Sequence, residues 1–531
     1  MPEHSPFAID PITRRRFVQV GAGTAGAVAL GGALSACGSS GGGSDANDEE
    51  ATQGGDLTIA YGDALSSDSP DPATAFTIFS LSYSGMVFDS LVALSQKWDI
   101  SPMLAEDYDF SSDFLTYTFK LKDGIEFHDG KTLDADDVVF SFQRIFDPKV
   151  GAAGLSQFDP VLDAKGVSAK DKGTVEFKLK RPDAYFLIKV GFWYGKIVPA
   201  GTEDFSASKG SFGTGAFEVK SFKGGEGFQL ERNANYWQDG RPYLDTVTGQ
   251  VILDPTTRTE AVLSGDADLA DPTSFESVDQ VNGSGTATFE ESPFGPAFVF
   301  GIDGSTEPFK DPNIARAAKA ATDRQALVDI AARGYGTVSP DSIVNPNEPY
   351  WPGGIEPEPY DPELARSLLE DSGFSGELTI WGTSSLRALG DGATLLSEQW
   401  NDAGFNSQPK DVPFDDLFGK RFLQEKVVAN YWLRQHFSTE FPFMYKSSGP
   451  YNEARISDPQ LDKLIEELER TPLDDGGEEI LKEVLSTYNE KAAAIWPFHM
   501  KDLWPRKNRV GGLALDPTEI VNVRNAYVSE T

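Results

Sequence analysis

The sequence has a single cysteine, Cys37, and only four histidines among its 531 residues. A lone thiol can form no internal disulfide and no cysteine-ligated metal site, so the folded body must be held by its apolar core. A hydrophobic content of 39% is enough to build one, and the length exceeds what a single core serves, so two or more lobes are expected. His128, His436 and His499 stand apart from one another, which favours packed structural roles over metal ligation. Basic residues are also scarce, with 46 Lys and Arg against 82 Asp and Glu and a net charge of −36. Nucleic acid is thereby excluded as a partner, because binding phosphate needs basic surface. The acidity is spread along the chain, which suits solubility outside the cytoplasm or in a saline setting.

Signals of catalysis are wanting too. There is no H-E-x-x-H and no cysteine pair. Gly130-Lys131-Thr132 looks like part of a phosphate loop, but five residues intervene between Gly124 and Gly130 where four are required. Asp136-Asp137 and Glu466-Glu467 read as a helix start and a solvated helix face, not as the carboxylate pair of a glycosidase. No cofactor is expected, and the chain is read as a non-enzyme.

What is present begins at the N-terminus. Val18 to Ala36 carries no charge and follows Arg14, Arg15 and Arg16, the polarity of an export signal. Thr13-Arg14-Arg15-Arg16-Phe17-Val18 resembles a twin-arginine signal, with Sec export left open. A transmembrane helix is disfavoured, since the stretch is barely long enough and holds five glycines. It ends in Leu34-Ser35-Ala36-Cys37, which resembles a bacterial lipobox, so cleavage before Cys37 and lipid on its thiol are expected. Residues 1–36 are then the export signal. Residues 37–55, rich in Gly, Ser, Asp and Glu, form a flexible tether.

Beyond the tether, apolar Leu115, Tyr117, Phe119 and Leu121 alternate with polar residues, and Val175, Phe177 and Leu179 do the same, the period of half-buried strands. Asp-Pro pairs announce helices, with Asp capping and Pro in the first turn. Asp361-Pro362 opens one carrying Leu364 and Leu368 that stops at Gly373, Asp458-Pro459 one carrying Leu461, Leu464, Ile465 and Leu468, and Asp311-Pro312 one through Ala321. Strands and helices interleave, so the fold class is α/β, or mixed α+β.

The motifs Ala105-Glu106-Asp107-Tyr108, Lys122-Asp123-Gly124, Phe127-His128-Asp129-Gly130 and Asp136-Asp137-Val138-Val139-Phe140-Ser141 follow one another in order. Gly213-Thr214-Gly215-Ala216-Phe217, Arg232-Asn233-Ala234-Asn235-Tyr236-Trp237, Leu263-Ser264-Gly265-Asp266-Ala267-Asp268 and Thr322-Asp323-Arg324 come after them. Together they resemble the family 5 extracellular solute-binding proteins, the peptide and nickel binders of ABC importers. The resemblance implies two hinged lobes of the larger periplasmic peptide-binder type with a ligand cleft between them. The expected bounds are 56–297 for lobe I, with a subdomain around 106–199, 298–499 for lobe II, and 500–531 for the return to lobe I. It further implies a monomer, a small-molecule or peptide ligand, ABC importer permease subunits as partners, and contact with the membrane only through the lipid.

Pocket candidates come from loops at strand ends. They are Trp381, Thr383 and Ser384 after one apolar strand, Trp432, Arg434 and His436 in a second segment, and Asp68 after the first strand. In peptide-binding relatives the residue three positions after the Trp is an Asp that pairs with the peptide amine. Gln435 stands there in this chain, so Asp68 is a candidate for the missing negative charge, and Arg434 suits a carboxylate or hydroxyls. A short peptide is the first expectation for the ligand, with an oligosaccharide or an anionic solute as alternatives. An extracytoplasmic hydrolase is a third class, without a clustered nucleophile and base to carry it. Replacing Cys37 by Ser is expected to abolish lipid labelling of the exported protein; a C37S protein still carrying lipid would refute the lipobox assignment.

Overall fold

The structure is a computed structural model that describes residues 51–529 apart from Thr273, Ser274, Pro293, Ser385 and Arg387. The export signal, Cys37 and most of the tether lie outside the described residues.

The Asp-Pro pairs do the work that their chemistry dictates. Asp311, Asp361 and Asp458 each accept a hydrogen bond from a backbone N–H in the first turn of Pro312–Ala320, Pro362–Ser372 and Pro459–Leu468. Asp254-Pro255 opens Pro255–Ser264 in the same way. Gly373, at φ 67°, ends Pro362–Ser372 in the left-handed conformation that a side chain would strain. The buried positions of that helix are Ala365 and Leu369, whereas the expected Leu364 and Leu368 lie at the margin of the core. Asp134 caps Ala135–Ile145, and Asp137 bonds back to the cap backbone. Residues 126–132 form a hairpin closed by a bridge between Glu126 and Thr132, which excludes the phosphate-loop geometry.

Among the described residues, strands assemble into two large sheets, a four-stranded one and three two-stranded ribbons. The first sheet has seven strands in the order Ala287–Ser292, Asp502–Lys507, Leu269–Ala270, Asp56–Tyr61, Thr246–Val251, Gly227–Arg232 and Phe217–Lys223. Asp56–Tyr61 runs parallel to both of its neighbours. The second sheet has six, in the order Gly336–Val338, Ile495–Met500, Ala297–Ile302, Val427–Trp432, Glu377–Gly382 and Asn406–Asp411. Successive strands Ala287–Ser292 and Ala297–Ile302 belong to different sheets, as do Ile495–Met500 and Asp502–Lys507, so the chain crosses between the sheets twice. A four-stranded antiparallel sheet contains Thr116–Leu121, whose Tyr117, Phe119 and Leu121 are buried.

One apolar core is shared by the two large sheets, taking in Ala60, Phe289 and Leu503 from the first and Phe298, Phe300 and Phe498 from the second. Trp400 is fully buried against the helices of the second sheet, and its indole N–H donates to the carbonyl of Ala318 at 3.1 Å. Arg324 and Asp341, almost wholly buried, pair at 2.6 Å and hold the turn at 339–342 against strand Ile495–Met500. Removing one member of such a pair strands the other charge, so Arg324→Ala is expected to cost about 3–5 kcal/mol in denaturant unfolding. Arg366→Ala, which breaks an exposed pair with Glu363, should leave the unfolding stability nearly unchanged. Equal costs would refute the contrast.

Candidate functional site

Three strand ends meet where the chain crosses between the sheets. Ala297 lies opposite both Trp432 and His499 in the ladder of the second sheet. From Trp432 the chain turns through Arg434 and Gln435 into the helix Phe437–Met444, for which His436 is the cap: its Nδ1 accepts from the Ser438 N–H at 3.2 Å. The segment around Ile343–Glu348 closes the other side. Between them lies a cavity of about 10 Å³ lined by Trp432, Arg434, Gln435, Glu440, Glu348 and His499 among others, which is about the room of one water molecule.

Arg434 dominates this site. Its Nε and Nη2 donate to the two oxygens of Glu348 at 2.5 and 2.7 Å. Nη1 donates to the Pro517 carbonyl at 2.7 Å and to Glu519 at 3.2 Å, and Nη2 also to the Gln96 carbonyl at 2.8 Å. Those five bonds occupy the five N–H donors a guanidinium has. The expectation of a fork open to a solute is therefore corrected: Arg434 lines the cavity, but protein groups saturate it. Its plane also lies over the rings of Phe294 and Trp98, at 4.1 and 5.1 Å.

Carboxylates outnumber this one cation. Burial pushes Glu348 above the ordinary carboxylate range, with Arg434 pulling the other way, and raises Glu519 to about 8. Glu440 is raised well above its usual value by burial and then by the Glu348 charge. The histidines do not help to balance them. Burial lowers His499 to about 4, and its Nε2 lies 3.1 Å from the Ser342 carbonyl, which requires the proton on that nitrogen. His436 is held far below its usual value by burial, with Lys189 and Arg434 adding to it.

The remaining expected residues have partners of their own, and of them only Trp432 is on the cavity wall. The Trp432 indole N–H donates to Glu453 at 2.5 Å, which holds the ring beside Tyr451. His436 is packed among Trp98, Tyr185 and Tyr350 and is not part of the cavity wall. Trp381 is buried on the neighbouring strand with Lys410 and Arg421 over its ring at 4.6 and 4.2 Å. Thr383 is buried, and Ser384 is tied to Asp411 through its N–H and hydroxyl. Asp68 accepts from the Leu65 N–H and the Thr77 hydroxyl in its own loop. None of Trp381, Thr383, Ser384 and Asp68 reaches the cavity, so Asp68 does not supply its negative charge. Glu348 and Glu440 line it, and Glu519 meets Arg434 behind the wall; sequence reasoning missed all three. One signal was present: Glu440 is an acid in a segment rich in aromatic residues, Phe437, Phe441 and Phe443. Among the described residues no group of three or more His, Cys, Asp or Glu is placed to hold a metal.

The sequence profile of the bacterial extracellular solute-binding proteins, family 5 (Middle), matches residues 99–452. The chain is 28% identical over 358 residues to the glutathione-binding protein GsiB of Escherichia coli K12, covering 66% of this chain and 69% of that protein. It is similar in structure to the ABC transporter substrate-binding protein CtaP of Listeria monocytogenes, with a TM-score of 0.79, 25% identity and coverage of 90% and 100% of the two chains. DppA of Helicobacter pylori in complex with the peptide STSA shares the fold at a TM-score of 0.78 and 21% identity, over 91% and 100% of the chains.

Because Arg434 neutralises buried acids, its truncation should act on folding before it acts on any solute. Arg434→Ala is expected to lower unfolding stability by about 3–5 kcal/mol, read by urea denaturation. A fully stable variant would show that the guanidinium is not the counter-ion of Glu348.

Proposed function

The chain belongs to the bacterial extracellular solute-binding proteins of family 5, and from that premise we propose that it is a lipid-anchored receptor that captures a short peptide for its ABC importer. As a member of that family it is a two-lobe binding protein and not an enzyme. The observation that carries the ligand reading is the charged cavity at the chain crossings, whose Arg434 is bonded from behind by the carbonyls of Gln96 and Pro517. A peptide offers an amine, a carboxylate and amide groups to such a cavity. The relatives point the same way, one named for glutathione and one holding STSA. The anionic alternative loses its carrier, since Arg434 has no donor to spare.

A cavity of about 10 Å³ holds no peptide. Capture therefore needs the two halves to part by hinge motion, at residues 292–297 and 500–502. In this reading the halves are 56–297 with 500–531, and 298–499. The contacts that would break include the Arg181–Glu469 pair at 2.5 Å, the Tyr185 hydroxyl on the Thr471 carbonyl at 2.8 Å and the Trp98 indole on Glu348 at 3.2 Å. Among the described residues no helix is long and apolar enough to cross a membrane. Attachment through lipid on Cys37 supplies the membrane contact in this proposal, with the receptor acting as a monomer.

Mass spectrometry of small molecules released by denaturing the protein purified from its native host tests the ligand. A peptide is the expected product, and its re-addition should raise the melting temperature with the logarithm of its concentration, because only the folded state binds it. Release of a sugar, or protein-dependent chemical change of the added peptide, would overturn the reading.

A further inference from the structure

Three parallel strands of the second sheet, Val427–Trp432, Glu377–Gly382 and Asn406–Asp411, end on one edge. In open α/β sheets that edge, outside the carboxyl ends of the strands, is where ligands are held. A row of aromatic rings stands there. Beyond Asn406–Asp411 the chain makes a turn of π-helix, Leu417–Arg421, closed by the Phe422 N–H on the Leu417 carbonyl at 2.8 Å. Phe414, Phe418 and Phe422, spaced by four, follow one another with ring centroids 4.7 and 6.2 Å apart. Tyr451 continues the row from Phe422 at 6.4 Å and reaches Trp432 at 5.2 Å.

Phe414 is 38% and Tyr451 37% exposed, while Phe418, Phe422 and Trp432 are half-buried. Single apolar side chains at a surface need no explanation, but a contiguous run of rings does. The backbone is held in costly conformations beside them. Leu423 and Arg455 have positive φ of 58° and 50°, and the Arg455 guanidinium donates to the Leu423 carbonyl at 2.5 Å, tying the two turns together. Such backbone, like a lone turn of π-helix, collects at functional sites. Tyr194, from the half that holds residues 56–297, comes close to the row: burial pushes its hydroxyl up, and the Tyr451 hydroxyl adds to the shift.

The neighbouring charges select the class of occupant. Arg421 is engaged with Asp416 and Glu425, Lys420 with Asp416, Arg455 with the Leu423 carbonyl, and Glu453 with the Trp432 indole. A sugar needs such groups for its hydroxyls and meets them already spent, whereas an apolar side chain needs only the ring faces.

We propose that Phe414, Phe418, Phe422 and Tyr451 form a subsite, running on from Trp432, for a large apolar side chain of the captured solute, aromatic or branched aliphatic. This rests on the reading of the strand ends as the solute site.

Para-fluorobenzyl alcohol is the probe, followed by fluorine NMR with the full-length protein. Its signal should broaden on addition of the wild-type chain. Phe414→Ser and Tyr451→Ser, whose rings are exposed enough for the fold to survive their loss, should each weaken its affinity about threefold to tenfold. No broadening overturns the proposal, and so does an affinity unchanged in both variants. Should the variants fail to fold, the position of para-iodobenzyl alcohol in crystals of the wild-type chain decides, and iodine away from the row overturns it. Ala-Phe-Ala and Ala-Leu-Ala should displace the probe where Ala-Ser-Ala and methyl glucoside do not. Displacement by the glucoside overturns the apolar assignment. Probe binding that the two variants weaken but no tripeptide reverses would sustain the subsite and remove the peptide reading.

Discussion

A guanidinium in a dry interior is tolerable only when every one of its donors is met, and Arg434 meets that condition with groups from three distant parts of the chain. Desolvating it costs several kcal/mol, recovered through two-pronged bonding to Glu348 and the carbonyls of Gln96 and Pro517. The requirement fixes the neighbourhood. Glu348 is held in turn by the Trp98 indole, and the segment carrying Pro517 and Glu519 is drawn against the second sheet from the far end of the sequence. Glu519 adopts a positive φ of 68° there, a conformation costly for a side chain that the surrounding bonds must impose.

Around this centre the site is arranged by unequal burial of charge. Trp432 is oriented from behind by Glu453, which burial raises to about 7 while the Trp432 and Asn430 donors pull it down. Glu453 fits only because Gly301, across the ladder, has no side chain: a Cβ there would lie 2.1 Å from its Oε2. A wall of aromatic rings thus rests on a carboxylate, and the carboxylate rests on a glycine. The acids at the cavity are a separate set, and burial pushes each of them above its usual range.

Elements governed by local chemistry were legible in the sequence. The Asp-Pro helix starts, the Gly373 stop and the alternation over 115–121 all depend on neighbours within a few residues. The ordered motifs identified the family for the same reason, since most of them are turns and caps. The site was legible only in part. Trp432 and Arg434 lie on the cavity wall, but the commitment of Arg434 depends on residues 86 and 85 positions away, Glu348 and Glu519, which no periodicity announces. Trp381 and Ser384 had the right composition for a binding loop and are instead satisfied locally, by Lys410, Arg421 and Asp411. Polar composition at a strand end does not tell which groups already have partners.

The two crossings between the sheets have a consequence for how such a molecule can be built. All six strands of the second sheet lie within residues 297–500, and its first and last strands, Ala297–Ile302 and Ile495–Met500, pair antiparallel with Ala297 opposite His499. Residues 297–500 therefore form one uninterrupted cassette whose two ends leave side by side. Such a cassette can be exchanged between homologous receptors at two splice points a few ångströms apart, so recombination could renew one wall of the cleft while leaving the other intact.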